Sequence, residues 1–427
     1  MSAPATAPAG APGGSGGPED AGGVGDGAFP GIVSVDDHVV EPPHLWQERL
    51  PARFRAEGPR VERSGVAAMG SVGGVYAWEE DPRGTPCDFW LFEDLRYPMT
   101  RVMAAAGLPR DQVTVSPVTF DDMRPGCYDP KSRLLDMDEA GIEAALNFPT
   151  FPRFAGQAFS EAKDKELGFA CIRAYNDWMV EEWCADARLA PICLIPFWDP
   201  SLAAAEVRRN AARGVSAITF SEIPAYLGWP SIHDKDRYWD PLFAACAETG
   251  TVVCMHIGSG SKMPSTSADA PAAVQSTATF TNCMLSMCDW LFSGLLERFP
   301  ALRIAYSEGQ IGWIPYILER ADHIWETNRA WGGVAELVPE KPSHYFARQI
   351  YGCFFSDRFG LHNLAAIGED NVLFECDYPH ADSTWPATAT VARDMTAGLD
   401  PAVVEKIMRG NAIRLFRLDE RLGQEGR

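Results

Sequence analysis

Eight short apolar runs recur along the chain and alternate with longer stretches that have a different hydrophobic spacing. Each run is rich in Val, Ile, Leu, Ala or Phe, as strands buried on both faces of a parallel sheet are. The runs are Ile32–Asp36, Glu143–Phe148, Leu189–Ile195, Val215–Phe220, Thr251–His256, Leu302–Ser307, Gln349–Phe355 and Val372–Cys376. We predict that each of them forms a strand.

The stretches between these runs carry apolar residues at helical spacing. Leu167, Ala170 and Ala174, for example, recur at intervals of three and four residues. The predicted helices are Glu166–Ala185, Leu202–Arg213, Pro241–Glu248, Phe280–Arg298 and Ile311–Thr327. Eight strands that alternate with helices are typical of an α/β protein with a (β/α)8, or TIM, barrel. We expect this barrel to span residues 29–420.

The segment from about residue 50 to residue 131, between the first two strands, does not follow the alternation. It is rich in Gly, Pro and Arg and contains aromatic residues such as Tyr76, Trp78 and Trp90. Unstructured loops of this length are uncommon, and functional insertions in barrels lie at the carboxyl ends of the strands. We predict a cap over the barrel mouth. The alternative is a segment that seals the other end of the barrel.

Acidic residues and histidines stand where four of the predicted strands end. Asp36 and His38 lie at the end of the first strand, His256 ends the fifth, Glu308 follows the sixth and Asp377 follows the eighth. Catalytic groups of such barrels come from the carboxyl ends of several strands. Imidazole and carboxylate groups together are typical ligands of divalent metals. The sequence therefore predicts a metal site at the mouth, although Glu308 has the alternative role of capping the next helix.

Three more residues near these strand ends are candidates for the site. Glu41 follows the first strand, and it is either a metal ligand or a hydrogen-bonding partner of the ligands. His380 lies three residues after Asp377, where it can orient or relay a proton. Arg153 follows the second strand and either holds a carboxylate of the substrate or is a surface residue.

Composition narrows the class of partner and compartment. The net charge of −21 argues against nucleic acid and anionic membranes as partners. No apolar run approaches the ~18 residues that cross a bilayer. The eleven cysteines lack Cys-x-x-Cys spacing, which favours reduced thiols in a cytoplasmic protein. The first 28 residues are mainly Ala, Gly and Pro with acidic residues, and we predict that they form a disordered tail.

Several motifs resemble those of the amidohydrolase-related family. This is the branch of the amidohydrolase superfamily that includes aminocarboxymuconate-semialdehyde decarboxylase and the resorcylate-type decarboxylases. The resemblance extends from about Ile32 to Leu418. Its motifs are Val35–Pro42, Met255–Gly258, Glu308–Pro315, Asp377–His380 and Asn411–Phe416.

The resemblance implies a divalent metal held by Asp36, His38, His256 and Asp377, and it implies a homodimer. Two positions depart from the decarboxylase pattern. The first strand-1 ligand is an acid where some members have histidine. The strand-6 position, a catalytic histidine in the decarboxylase, is Glu308 here. The second difference counts against the same scheme of proton transfer.

Three functions remain as hypotheses. The first is hydrolysis or non-oxidative decarboxylation of a small, carboxylate-bearing molecule with one Zn or Mn ion, in which Asp377 or Glu308 takes a proton and His380 relays it. The second is a dinuclear non-haem iron monooxygenase that hydroxylates a small molecule, since Glu41, Glu308 and His380 add ligands for a second ion. The third is a non-catalytic subunit stabilised by metal.

Overall fold

The computed structural model of the chain describes residues 29–72, 75–267 and 269–423, so the predicted tail, residues 1–28, lies outside the described residues. The strands of these residues are β1 (Ile32–Val39), β2 (Arg60–Val72), β3 (Val75–Glu80), β4 (Thr85–Phe92), β5 (Leu95–Pro98), β6 (Ile142–Pro149), β7 (Leu189–Cys193), β8 (Ala217–Phe220), β9 (Val252–His256), β10 (Ile304–Ser307), β11 (Ile350–Phe354) and β12 (Val372–Phe374).

Eight of these strands form one parallel sheet in the order β1-β6-β7-β8-β9-β10-β11-β12. The first and last strands of this order also meet. The amide of Asp377 donates to the carbonyl oxygen of Asp36 at 2.8 Å, and the amide of His38 donates to that of Tyr378 at 2.6 Å. The sheet is therefore a nearly closed barrel, and the predicted (β/α)8 fold is confirmed.

Helices connect the strands of the barrel and surround it. Their bounds are α1 (His44–Arg49), α2 (Pro130–Ala140), α3 (Gln157–Ser160), α4 (Lys165–Trp178), α5 (Pro200–Ala211), α6 (Asp240–Thr249), α7 (Ala272–Ala278), α8 (Thr281–Phe292), α9 (Leu295–Arg298), α10 (Ile314–Thr327), α11 (Pro342–Gln349), α12 (Arg358–His362), α13 (Leu364–Ile367), α14 (Thr388–Thr396), α15 (Pro401–Glu405), α16 (Asn411–Phe416) and α17 (Leu418–Leu422).

The structure shifts some of the predicted boundaries. Strand β1 continues to Val39, so Asp36 and His38 lie within the strand and not at its end. The single helix predicted from residue 280 to residue 298 is two helices, because Gly294 takes the left-handed conformation (φ 72°) and ends the helical path between them. Neither shift moves a predicted ligand away from the mouth.

The parallel registers align the strand ends that carry the candidate ligands. On β9 and β10, His256 is level with Ser307, so Glu308 follows one position further on. On β1 and β6, His38 is level with Phe148. The interior of the barrel is filled by buried residues of small and medium size, for example Val33, Ala144 and Cys254.

The insertion contains a second, four-stranded antiparallel sheet in the order β3-β2-β4-β5. Its last part contacts the loop that follows β12. The amides of Ala105 and Ala106 both donate to the carbonyl oxygen of Pro379, at 2.8 and 3.1 Å, and the amide of Ala381 donates to that of Val102 at 2.9 Å. These contacts join the insertion to the carboxyl-end loop of the barrel. That the insertion covers the mouth stays a prediction.

The sequence predicts no segment that crosses a membrane, and the helices of the structure can be compared with that expectation. Within residues 29–72, 75–267 and 269–423, no helix is both long enough and apolar enough to cross a bilayer.

Candidate metal centre

Strands β1 and β9 bring three of the predicted ligands into contact. Asp36, His38 and His256 are each 0% exposed. The Nε2 atoms of the two histidines lie 3.0 Å apart. Asp36 Oδ1 lies 3.3 Å from Nε2 of His38, and Asp36 Oδ2 lies 3.4 Å from Nε2 of His256. One nitrogen or oxygen atom from each side chain lies within 4.8 Å of the others, which is close enough for all three to bind one ion.

The loop after β12 adds a second group that overlaps the first. Asp377 Oδ1 lies 3.5 Å from Nε2 of His38 and 2.8 Å from Nδ1 of His380. The imidazole rings of His38 and His380 are stacked, with centroids 3.8 Å apart. His38, Asp377 and His380 also offer atoms within 4.8 Å of one another. His38 therefore belongs to both groups.

Glu308 lies at the edge of these groups. Its Oε2 atom is 3.6 Å from Nε2 of His256, and its side chain is 11% exposed, whereas the ligands around it are fully buried. Its amide donates to both carboxylate oxygens of Glu375, at 3.1 Å each. Glu308 and Asp377 have φ values of 55° and 60°, a conformation that is uncommon outside glycine and is enriched at functional sites.

The side chains present fit a divalent metal. Both carboxylate oxygens of Asp36 are buried without a hydrogen-bond donor. Buried polar atoms without a partner are costly and uncommon, and a cation bound to these oxygens would satisfy them. Nδ1 of His256 lies 2.6 Å from the carbonyl oxygen of Ile257, which leaves Nε2 available for a metal. Two imidazoles with two carboxylates suit Zn, Mn or Fe.

Burial sets the protonation of the groups in this centre. Burial, and then the charge of Glu375, raises the pKa of Asp36 well above its usual value. Burial likewise raises the pKa of Asp377 and of Glu308. It lowers the pKa of His256 to about 3, so this imidazole is neutral near pH 7. A metal entering the centre would thus meet neutral imidazole at His256, and its charge would favour the ionised form of the carboxyl groups.

Glu41 and Arg153, two further candidates from the sequence, make their hydrogen bonds and ion pairs with residues other than the four candidate ligands. The two carboxylate oxygens of Glu41 accept hydrogen bonds from the amides of Thr150 and Phe151, at 2.9 and 2.8 Å. Glu41 thus fixes the loop after β6, and a role at a second metal stays a prediction. The guanidinium of Arg153 pairs with Glu161, and its Nη1 donates to a serine hydroxyl in the loop after β9. Its role toward a substrate carboxylate also stays a prediction.

Three residues of the centre were not predicted from the sequence. Asp37 and Glu375 are both fully buried, and Phe154 stacks on the imidazole of His256 with centroids 4.0 Å apart. A glutamate inside the apolar run before Asp377 was a signal for a buried charge. Nothing in the sequence singles out Phe154. It lies in the loop after β6, and only the fold brings this loop close to the end of β9.

A match to a known protein family covers most of the chain. A family model described as amidohydrolase matches residues 87–418.

Solved structures share the fold at low identity. An amidohydrolase from Mycobacterium avium subsp. paratuberculosis K-10 has a TM-score of 0.65 and 21% identity, over 91% of this chain and 100% of that one. 5-Carboxyvanillate decarboxylase from Sphingomonas paucimobilis has a TM-score of 0.60 and 21% identity, over 91% and 99%. Dihydroxybenzoic acid decarboxylase from Polaromonas sp. JS666, solved with manganese and 2-nitroresorcinol, has a TM-score of 0.56 and 19% identity, over 92% and 99%. At these identities the likeness shows the fold.

Proposed function

This chain belongs to the amidohydrolase family, and from that premise we propose that it is a metal-dependent enzyme that hydrolyses or non-oxidatively decarboxylates a small, carboxylate-bearing molecule. The observation that carries the proposal is the pair of buried Asp36 oxygens without donors beside the imidazoles of His38 and His256, whose pKa values burial lowers. Asp36, His38, His256 and Asp377 would hold the ion. Two structures of similar fold are those of decarboxylases of aromatic acids, which supports an aromatic carboxylate as the first substrate class to test.

A bound divalent ion would polarise an oxygen of the substrate or lower the pKa of a water molecule. The residues around it have separate roles. Glu308 is the carboxyl group at the open edge of the centre, 3.6 Å from Nε2 of His256, and burial raises its pKa above the usual value. It therefore acts as general acid or base. His380 is held by Asp377 and stacked on His38, so it orients the carboxylate and relays the proton.

The test begins with the metal content of full-length protein purified without added metal. We expect about one Zn or Mn per chain. The protein reconstituted with Mn²⁺ is then assayed for CO₂ release from hydroxybenzoates and for hydrolysis of amides and esters. His256→Ala, prepared in parallel, should bind metal roughly 100-fold more weakly or worse and show no turnover. Protein that is folded but binds neither Zn²⁺ nor Mn²⁺ would contradict the proposal. Metal binding without any turnover would favour the non-catalytic subunit.

A second candidate function is oxygenation at two iron ions. The observation that favours it is the second group of side chains, His38, Asp377 and His380, beside the first. Asp36, Glu308, Glu375 and Asp377 are also four acids in one centre without a paired arginine or lysine among the described residues, more than one divalent ion neutralises. About two Fe per chain, with substrate-dependent consumption of O₂ in the presence of a reductant, would support this function.

Glu308 separates the two candidates. If it binds a second ion, Glu308→Ala should lower the metal content from about two to about one ion per chain. If it is a general acid or base beside one ion, the metal content should stay near one and activity should fall by roughly 10²–10⁴-fold. A variant with both wild-type metal content and wild-type activity would assign Glu308 to neither role.

A further inference from the structure

Arg133 lies in an unusual environment for an arginine. It belongs to α2, whose first turn is set by Pro130 and by the side chain of Asp129, which accepts a hydrogen bond from the amide of Ser132. Its side chain is 0% exposed. Among the residues that the structure describes, Arg133 is the only arginine or lysine that is buried. Arginine is almost never fully buried unless it is paired, so the contacts of its guanidinium group indicate its role.

The guanidinium of Arg133 joins three parts of the chain that surround the metal centre. Its Nη2 atom donates to the carbonyl oxygen of His38 at 2.5 Å. Its Nη1 atom donates to Oδ1 of Asn147 on β6 at 3.1 Å, and its Nε atom donates to the carbonyl oxygen of Gly126 in the insertion at 2.8 Å. Each nitrogen atom of the group thus has a partner on a different element.

The fourth part is the loop after β12. The guanidinium carbon lies 4.1 Å from the centroid of the Tyr378 ring, next to the ligand Asp377 in the chain. One face of the planar guanidinium therefore stacks on the ring of Tyr378, while its edge donates to the carbonyl of His38 on β1. The amide of His38 in turn donates to the carbonyl oxygen of Tyr378. Arg133 thus lies behind the point where the strand-1 ligands meet the strand-8 ligand.

The charge of Arg133 also matches this position. Its Nη1 atom lies 3.8 Å from Oδ2 of Asp37, which is fully buried between the ligands Asp36 and His38. A carboxylate buried without a cation is strongly destabilising. Asp37 also accepts a hydrogen bond from the hydroxyl of Ser34 at 2.8 Å, so its orientation is fixed from two sides.

We propose that Arg133 is a positioning residue of the metal centre, which holds the backbone of β1 against the loop after β12 so that His38 and Asp377 converge on one ion. This inference rests on the metal site proposed above. Lysine cannot take its place, because an ammonium group on a flexible stem cannot serve three partners in one plane and stack on a ring.

The test measures binding of Mn²⁺ to EDTA-treated, full-length protein by the electron paramagnetic resonance signal of free Mn²⁺. The variants are Arg133→Lys and Arg133→Met. The matched control is Arg188→Met. Arg188 also donates to main-chain carbonyls, those of Glu143 and Ile142 at 2.9 and 2.8 Å, but it does so at the amino end of β6. Near-ultraviolet circular dichroism and the melting temperature report whether each variant is folded.

We expect Arg133→Lys to remain folded and to bind Mn²⁺ about 10–100-fold more weakly, the usual effect of losing a group that orients metal ligands. The spectrum of its bound Mn²⁺ should also change, because the ligands are displaced. Arg133→Met should be weaker still or fail to fold. Arg188→Met should lose stability but keep the wild-type Kd for Mn²⁺, which distinguishes ligand placement from general destabilisation.

A Kd and a bound spectrum of Arg133→Lys that equal those of the wild type would overturn the inference. Failure of both Arg133 variants to fold would also contradict it, because Arg133 would then be required by the barrel itself and not by ligand placement. Wild-type protein that binds no Mn²⁺, Zn²⁺ or Fe²⁺ is a different result. It would contradict the proposed metal site before Arg133 is tested.

Discussion

Replacement of Asp36 by asparagine should change metal binding and stability in opposite directions. Four-ligand zinc sites bind their ion with about 10–16 kcal/mol, so one ligand in four contributes about 3 kcal/mol. Asp36→Asn should therefore weaken the metal by roughly 100-fold or more. The metal-free protein should not lose stability, since both oxygens of Asp36 are buried without a donor and no hydrogen bond is lost.

The pH dependence of this effect has a definite sign. The pKa of Asp36 is raised in the folded protein, so the unfolded chain gives up this proton at lower pH. The cost of burying the carboxyl group is absent below the usual pKa of 3.8 and grows as the pH rises toward the folded value. Since a buried polar group without a partner costs about 1–3 kcal/mol, Asp36→Asn should raise the free energy of unfolding at pH 8 by about 1 kcal/mol. The gain should disappear toward pH 4.

Urea denaturation of EDTA-treated protein at pH 4, 6 and 8 measures this effect, and titration with Mn²⁺ measures the loss of the ion. Asp88→Asn is the matched control. Asp88 is also buried, but it accepts hydrogen bonds from Nε of Arg63 and from the amide of Phe120, each at 2.8 Å. This control should lose stability and keep the metal. If Asp36→Asn instead destabilised the metal-free protein and bound Mn²⁺ like the wild type, Asp36 would be a structural residue and our reasoning would be wrong.

Three further predictions concern the surroundings of the centre. His256→Ala should bind metal roughly 100-fold more weakly or worse, while its circular dichroism spectrum stays that of the wild type. Metal binding at wild-type affinity in equilibrium dialysis would contradict this. Arg110 donates to the carbonyl oxygens of Ala381 and Ser383 in the loop that carries His380, so Arg110→Ala should lower kcat about 10-fold at unchanged metal content. Arg101 donates to a carbonyl within the insertion, so Arg101→Ala should leave kcat unchanged. Burial raises the pKa of Glu41 from 4.5 to about 7, so stability should fall by about 3 kcal/mol as the pH rises through this window, and denaturation of Glu41→Gln should show a flatter profile.

The convergence of the candidate ligands could be predicted because their positions follow from the strand pattern. Apolar runs that end in acids or histidines indicate both the barrel and the edge at which those side chains meet. His256 and Asp377 needed no more information than this, and the structure brings them to the same mouth through His38. The resemblance in the motifs gave the same four residues.

The surroundings of the ligands could not be predicted in the same way. The burial of Arg133 depends on three segments that are distant in sequence, and its helix gives no local signal of it. The sequence predicts a cap for the insertion but not its four-stranded sheet, because the pairing of these strands is set by the turns between them. The contact between Glu308, after β10, and Glu375, after β12, passes over the end of β11, and a single sequence does not show it.

The hydrogen bonds that close the barrel have a consequence for when the proposed metal site can form. They join Asp36 and His38, near the start of the chain, to Asp377 and Tyr378, near its end. Chains emerge from the ribosome amino end first, and pairings between distant segments form late. A nascent chain that displays Asp36 and His38 therefore lacks Asp377, the fourth candidate ligand, until the last strand has been made. All four candidate ligands can therefore hold one ion only after the last strand has been made and paired with the first.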